Sequence, residues 1–141
     1  MVFVLVWIAS SLVVNTQKIS YAEAPITNAT TQQTDHTTLI RRTIDRYATL
    51  YKYENTALLF DLVGIESSFC TNNVNKTSSA RGCFMIIKST WEYFECSGDR
   101  MSIEDNIQCG VKIMSSPNGL KHWTADKNTK RKLIALGYDV E

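Results

Sequence analysis

The residue in this chain best placed for acid–base chemistry is Glu66. It stands in Gly64-Ile65-Glu66-Ser67-Ser68-Phe69, at the end of an apolar stretch with helical spacing and shortly before Cys70. A carboxylate at the end of an apolar helix is costly unless it is solvated, paired or kept protonated. A carboxyl that stays protonated near neutral pH is also what a glycosidic oxygen needs as a proton donor. Helical spacing places Leu62, Ile65 and Phe69 around Glu66, and such a frame raises a carboxylate pKa by desolvation. On this residue alone the plainer reading is favoured, a helix-end glutamate facing solvent or an arginine.

Most glycosidases flank the scissile bond with two carboxylates. Asp61 falls on a different part of the helix that carries Glu66, and Glu92, Glu95, Asp99, Glu104 and Asp105 fall on exposed helix faces or in loops. Each of these reads as solvated surface charge. A glycosidase built on this chain is therefore expected to work with one acid/base residue, as in schemes where the substrate itself assists.

The elements that must position Glu66 read as helices. From Thr38 to Tyr53, residues Ile40, Ile44, Tyr47, Ala48 and Tyr51 share one face. From Thr56 to Phe69, residues Leu58, Leu59, Leu62, Val63, Ile65 and Phe69 give a broad apolar surface that should be deeply buried. Cys70 to Arg81 is polar and turn-rich, with no apolar period, and long irregular segments in compact domains are often functional. Phe84-Met85-Ile86-Ile87 suits a short extended piece. Ser89-Thr90-Trp91-Glu92 has the form of a capping box opening a short helix through Phe94. Ser102 opens another helix, with Ile103, Ile107, Val111 and Met114 along one stripe, ended by Pro117-Asn118-Gly119. Asp126 to Leu136 reads as a last, basic helix closed by Gly137. No βαβ rhythm is present. The fold class expected is mainly α, a small helical domain.

The 141 residues suit one domain with a real core, and the net charge of +1 gives no support for a nucleic-acid partner. Met1 to Val14 is almost wholly apolar, too short for a membrane span, and followed by Ala22-Glu23-Ala24 in the small-x-small form of a signal-peptidase site. Residues 1–24 are read as a signal peptide, with a retained N-terminal anchor as the alternative. Residues 25–38, rich in Thr, Asn and Gln, read as a flexible leader, and 39–141 as the domain. An exported protein in a periplasmic or extracellular setting is expected. Asn28-Ala29-Thr30 and Asn75-Lys76-Thr77 match the short glycosylation acceptor pattern.

The four cysteines, Cys70, Cys83, Cys96 and Cys109, all follow the signal, and an even count in an exported small domain favours disulfides. Three connectivities are open, and local pairing, Cys70–Cys83 with Cys96–Cys109, is preferred because it closes two short loops. Zinc is disfavoured, since no C-x-x-C pair exists and His36 and His122 lie in unhelpful places. Neither a metal nor a cofactor is expected.

Gly64-Ile65-Glu66-Ser67-Ser68-Phe69, then Ser79-Ala80-Arg81-Gly82-Cys83-Phe84-Met85-Ile86 and Thr90-Trp91, then Asn106-Ile107 with Gly110, resembles the lytic transglycosylase domain of the soluble, lysozyme-like type, related to goose-type lysozymes. The resemblance spans roughly Ile40 to Trp123. It implies a small lysozyme-like helical fold. It implies that Glu66 protonates the glycosidic oxygen between N-acetylmuramic acid and N-acetylglucosamine in peptidoglycan. Glu66 then takes the proton of the muramyl 6-hydroxyl, leaving a 1,6-anhydro product. Phe84, Met85, Ile87 and Thr90 are implied as the sugar groove.

Three features depart from the family pattern. Met85 stands where a glutamine amide usually contacts sugar, and Met offers no such hydrogen bond. The serine that usually precedes Ala-x-Gly aligns near Lys76 or Ser78. The late Ala-Tyr-Asn-Ala-Gly segment, whose tyrosine helps hold the acid, is absent. His122-Trp123 lies roughly where a substitute is sought, and both are taken with the groove as candidate substrate-binding residues, against the plainer reading of a packed Trp with a surface His. A hydrolytic muramidase and a non-catalytic glycan-binding module are the competing functions. The small size implies, by analogy, a monomer that opens the wall locally for a secretion or conjugation apparatus.

Overall fold

A computed structural model describes residues 27–140. The expected signal segment 1–24 lies outside the described residues. Six helices follow in order: α1 (Thr27–Tyr51), α2 (Thr56–Ser67), α3 (Lys88–Tyr93), α4 (Ile103–Met114), α5 (Lys121–Thr124) and α6 (Lys127–Ala135). Extended pairing among the described residues is limited to isolated bridges from Arg81 to Val74 and to Ile86. The class is mainly helical with two disulfides, Cys70–Cys83 and Cys96–Cys109, so the local pairing is the one formed.

The core assembles from the apolar faces seen in the periodicity. Ile40, Ile44 and Ala48 of α1 meet Leu58, Leu59, Leu62 and Val63 of α2 and Ile107, Val111 and Met114 of α4. Ile65 and Phe69, expected to be deeply buried, are only partly so. Phe69 folds back over Gly64 and packs on Phe60 with ring centroids 4.9 Å apart. It therefore belongs to the back of α2 rather than to a frame around Glu66.

Four local expectations need correction. Residues 27–38 of the supposed leader are the first turns of α1. Neither Gly nor Pro interrupts 27–51, and His36 Nε2 donates to the Phe69 carbonyl at 2.8 Å, tying this early part of the helix to the domain. The capping box at Ser89–Glu92 does not form. The helix starts at Lys88 after an extended Ile87 with no side-chain cap, and Glu92 pairs with Lys88 at 3.6 Å instead. The 84–87 piece is extended only at its end, Ile86 and Ile87, because Gly82 (φ +78°) and Met85 (φ +49°) close a tight turn between the paired residues Arg81 and Ile86. Finally α5, four residues long, is too short to display a period and went unpredicted. By contrast Ser102 caps α4, accepting the Asp105 N–H at 3.3 Å, and Gly137 (φ +90°) closes α6 in the left-handed region.

Candidate active site

Glu66 occupies the last turn of α2, and the chain that follows it is unusual. Ser68, Phe69 and Cys70 are consecutive left-handed residues, with φ of 50°, 57° and 63°. Each such residue costs roughly 1–2 kcal/mol, so the turn needs fixing from outside. Ser67 supplies part of it. Its buried hydroxyl donates to the Cys83 carbonyl at 2.7 Å and accepts the Cys70 N–H at 2.8 Å. The Cys70–Cys83 disulfide closes the same contact covalently. The Glu-Ser pair thus has a mechanical reason: the serine anchors the turn that orients the glutamate.

The opposite side of the site is the 81–86 turn, and Asn106 of α4 holds it. Asn106 is fully buried; its Oδ1 accepts the Phe84 N–H at 2.8 Å, and its Nδ2 donates to the carbonyls of Arg81 (3.1 Å) and Arg100 (2.9 Å). Gly82 has no room for a side chain, since a Cβ there would lie 2.1 Å from the Asn106 amide. Gly110 is needed for a similar reason, a Cβ there lying 2.3 Å from the Phe84 ring. The motif residues Gly82, Asn106 and Gly110 therefore serve as the mould for one turn.

Between Glu66 and this turn runs a cleft of about 290 Å³, lined by Met85, Ile86, Ile87, Thr90, Lys121, His122, Trp123, Ala125 and Asp126 as well as Glu66. Its volume falls close to the lower end of small-molecule sites, roughly 300–1,000 Å³. Five of the expected groove residues, Met85, Ile87, Thr90, His122 and Trp123, meet there. Phe84 does not. It is fully buried, its ring against Trp123 (centroids 5.7 Å apart), and its carbonyl accepts the Trp123 indole N–H at 2.7 Å. Phe84 supports the cleft wall from beneath and cannot touch a ligand with its side chain. A second cavity, beside Cys96–Cys109, measures about 40 Å³, room for a water but not for a sugar ring.

Glu66 is half-buried, and its carboxyl pKa is raised above the ordinary value, mainly because burial disfavours the charged form. The negative charge of Asp126 raises it further. The hydroxyl of Thr129 and the charge of Lys132 pull the other way. Thr129, on α6, supplies the hydrogen bond that holds the acid, Oγ1 to Glu66 Oε1 at 2.7 Å. His122-Trp123, the sequence candidate for that part, instead forms cleft wall.

A second carboxylate is present after all. Asp126 lines the cleft and caps α6, accepting the N–H groups of Asn128 (3.3 Å) and Thr129 (3.2 Å). These bonds hold its pKa below the usual value. In the sequence Asp126 reads only as the opening residue of a basic helix, and its nearness to Glu66 depends on how α6 meets α2. Three other carboxylates are engaged elsewhere: Asp61 with the Tyr138 hydroxyl at 2.6 Å, Glu104 with Arg46 and Tyr47, and Asp105 with the Asp99 N–H at 2.9 Å. No known family model matches the chain, and neither a curated protein nor a solved structure matches it significantly.

Proposed function

We propose that the protein cleaves the β-1,4 bond between N-acetylmuramic acid and N-acetylglucosamine in peptidoglycan as a lytic transglycosylase, with Glu66 as the general acid and base. One observation carries the reading: a carboxyl whose protonated form is favoured by burial opens onto a cleft walled by Met85, Ile86, Ile87 and Trp123. Apolar walls of this kind suit the flat faces of sugar rings. In the reaction, the protonated Glu66 gives its proton to the glycosidic oxygen as the bond to C1 of the muramyl residue breaks. The resulting carboxylate takes the proton of the 6-hydroxyl as O6 bonds to C1. The proton count on Glu66 is restored and the product carries a 1,6-anhydro ring.

Asp126 on the same cleft favours hydrolysis as the second reading. An ionised carboxylate near a protonated one is the pairing by which hydrolases stabilise an oxocarbenium ion or activate water. Mass spectrometry of muropeptides released from purified sacculi separates the two: anhydromuramyl ends are expected, and reducing ends would assign a muramidase. Glu66→Gln should lower release by about a hundredfold or more. Equal, background release by wild type and variant would leave a glycan-binding module.

Two disulfides suit an oxidising compartment, and no helix among the described residues is long and apolar enough to cross a membrane. The disulfides are compatible with an exported enzyme working on the wall, proposed to act as a monomer without a cofactor. Service to a secretion or conjugation apparatus remains the proposed context.

A further inference from the structure

The Thr129 hydroxyl stands between two carboxylates and has one proton. Its oxygen is 2.7 Å from Glu66 Oε1 and 3.1 Å from Asp126 Oδ2. Thr129 is 4% exposed, so its buried hydroxyl depends on these two carboxylates rather than on water. When Glu66 is ionised, the hydroxyl serves it best by turning toward Oε1. When Oε1 carries a proton, the carboxyl can donate to the Thr129 oxygen, and the hydroxyl is free to turn toward Asp126. Asp126 tolerates either state, because two backbone N–H groups at the start of α6 hold it regardless.

We propose that Thr129 is a positioning residue that couples the proton on Glu66 to the charge of Asp126, with its hydroxyl turning toward one carboxylate or the other as Glu66 loses or gains its proton. The inference rests on the reading of Glu66 as the acid. The two partners act on Glu66 with opposite sign. The Thr129 bond favours the ionised acid, whereas the Asp126 charge favours the protonated one.

The other charged groups of the site are few. Lys132 of α6 acts on Glu66, and Lys121 and His122 of α5 line the cleft. From the 81–87 turn the lining side chains Met85, Ile86 and Ile87 are uncharged, and the Arg81 guanidinium is bound to the carbonyls of Asn75, Ser78 and Ala80. Asp61, on α2 itself, is occupied by Tyr138.

The opposed signs give the test. The Glu66 carboxyl carbon is followed by NMR through a pH titration in the full chain, for wild type, Thr129→Val, Thr129→Ser and Asp126→Asn. The midpoint should rise in Thr129→Val, return toward wild type in Thr129→Ser, and fall in Asp126→Asn, where the amide oxygen still caps α6. The alkaline limb of kcat/KM on sacculi should follow the same order. Midpoints that stay in place, or that move in one direction in both Thr129→Val and Asp126→Asn, overturn the coupling. Asp126→Asn changes an exposed side chain, so a midpoint that fails to fall there overturns the coupling even if Thr129→Val does not fold. Opposite movements without any muropeptide release would support the coupling and remove the transglycosylase reading. Release without opposite movements would do the reverse.

Discussion

Two loops of equal length are closed by disulfides in this protein, and they do different work. Cys70–Cys83 and Cys96–Cys109 each join residues 13 apart. In the chain-entropy model the two bonds should therefore stabilise the fold alike, by about 3 kcal/mol each. The first, however, locks a run of left-handed residues behind Glu66 and carries the chain to the turn that forms the opposite cleft wall. The second ties the chain just beyond α3 to the middle of α4, next to a cavity too small for substrate. Equal closure entropy thus accompanies unequal proximity to chemistry. A disulfide's value to function lies in which strained segment it fixes, and loop length does not report that.

Asn106 joins the two loops, and removing it should have the largest effect. It belongs to the second loop, yet two of its three hydrogen bonds reach the 81–84 turn. Asn106→Ala strands the Phe84 N–H and the carbonyls of Arg81 and Arg100 in a buried place. Chemical denaturation should show a loss of roughly 3–4 kcal/mol. A loss under about 1 kcal/mol would mean that the loops are held independently.

Replacing the disulfides one at a time tests the contrast directly. Cys70→Ala/Cys83→Ala and Cys96→Ala/Cys109→Ala should lose similar stability, about 3 kcal/mol. At a temperature where both remain folded, only the first should lose muropeptide release, by about a hundredfold if Glu66 shifts by an ångström. Equal losses of activity would break the distinction between a site loop and a frame loop.

The smallest effect concerns the cost of the acid itself. The pKa of Glu66 is raised in the folded chain, so its contribution to stability is greatest below the ordinary carboxylate range. That contribution is lost as pH rises through the folded value. Glu66→Gln removes the charge, and its Tm should exceed that of wild type near about pH 8 but not near about pH 4. A wild-type advantage near pH 8 would show that the ionised form is the better accommodated one.

Much of this was legible along the chain. The apolar faces of α1, α2 and α4 follow from spacing, because a helix repeats its own neighbours every three or four residues. The short separations of Cys70 from Cys83 and of Cys96 from Cys109 made local closure the simpler pairing. Glu66 at the end of an apolar helix announced a costly carboxylate. Leader, capping box and extended piece misread their segments because a polar composition, a Ser-x-x-Glu-like string and a run of apolar residues each suit more than one backbone.

Only the tertiary structure decided what surrounds Glu66. The hydroxyl that binds it comes from Thr129, at a sequence separation of 63, and Asp126 arrives with it. Nothing in the local pattern of Asp126-Lys127-Asn128-Thr129 marks it as part of a site, since a capping aspartate with a following threonine is ordinary helix chemistry. Phe84 likewise went inward because the bare backbone of Gly110 made space for its ring. Periodicity reports which residues share a face of one element. Which faces meet is set by how the elements pack, and that is where this carboxyl acquired its partners.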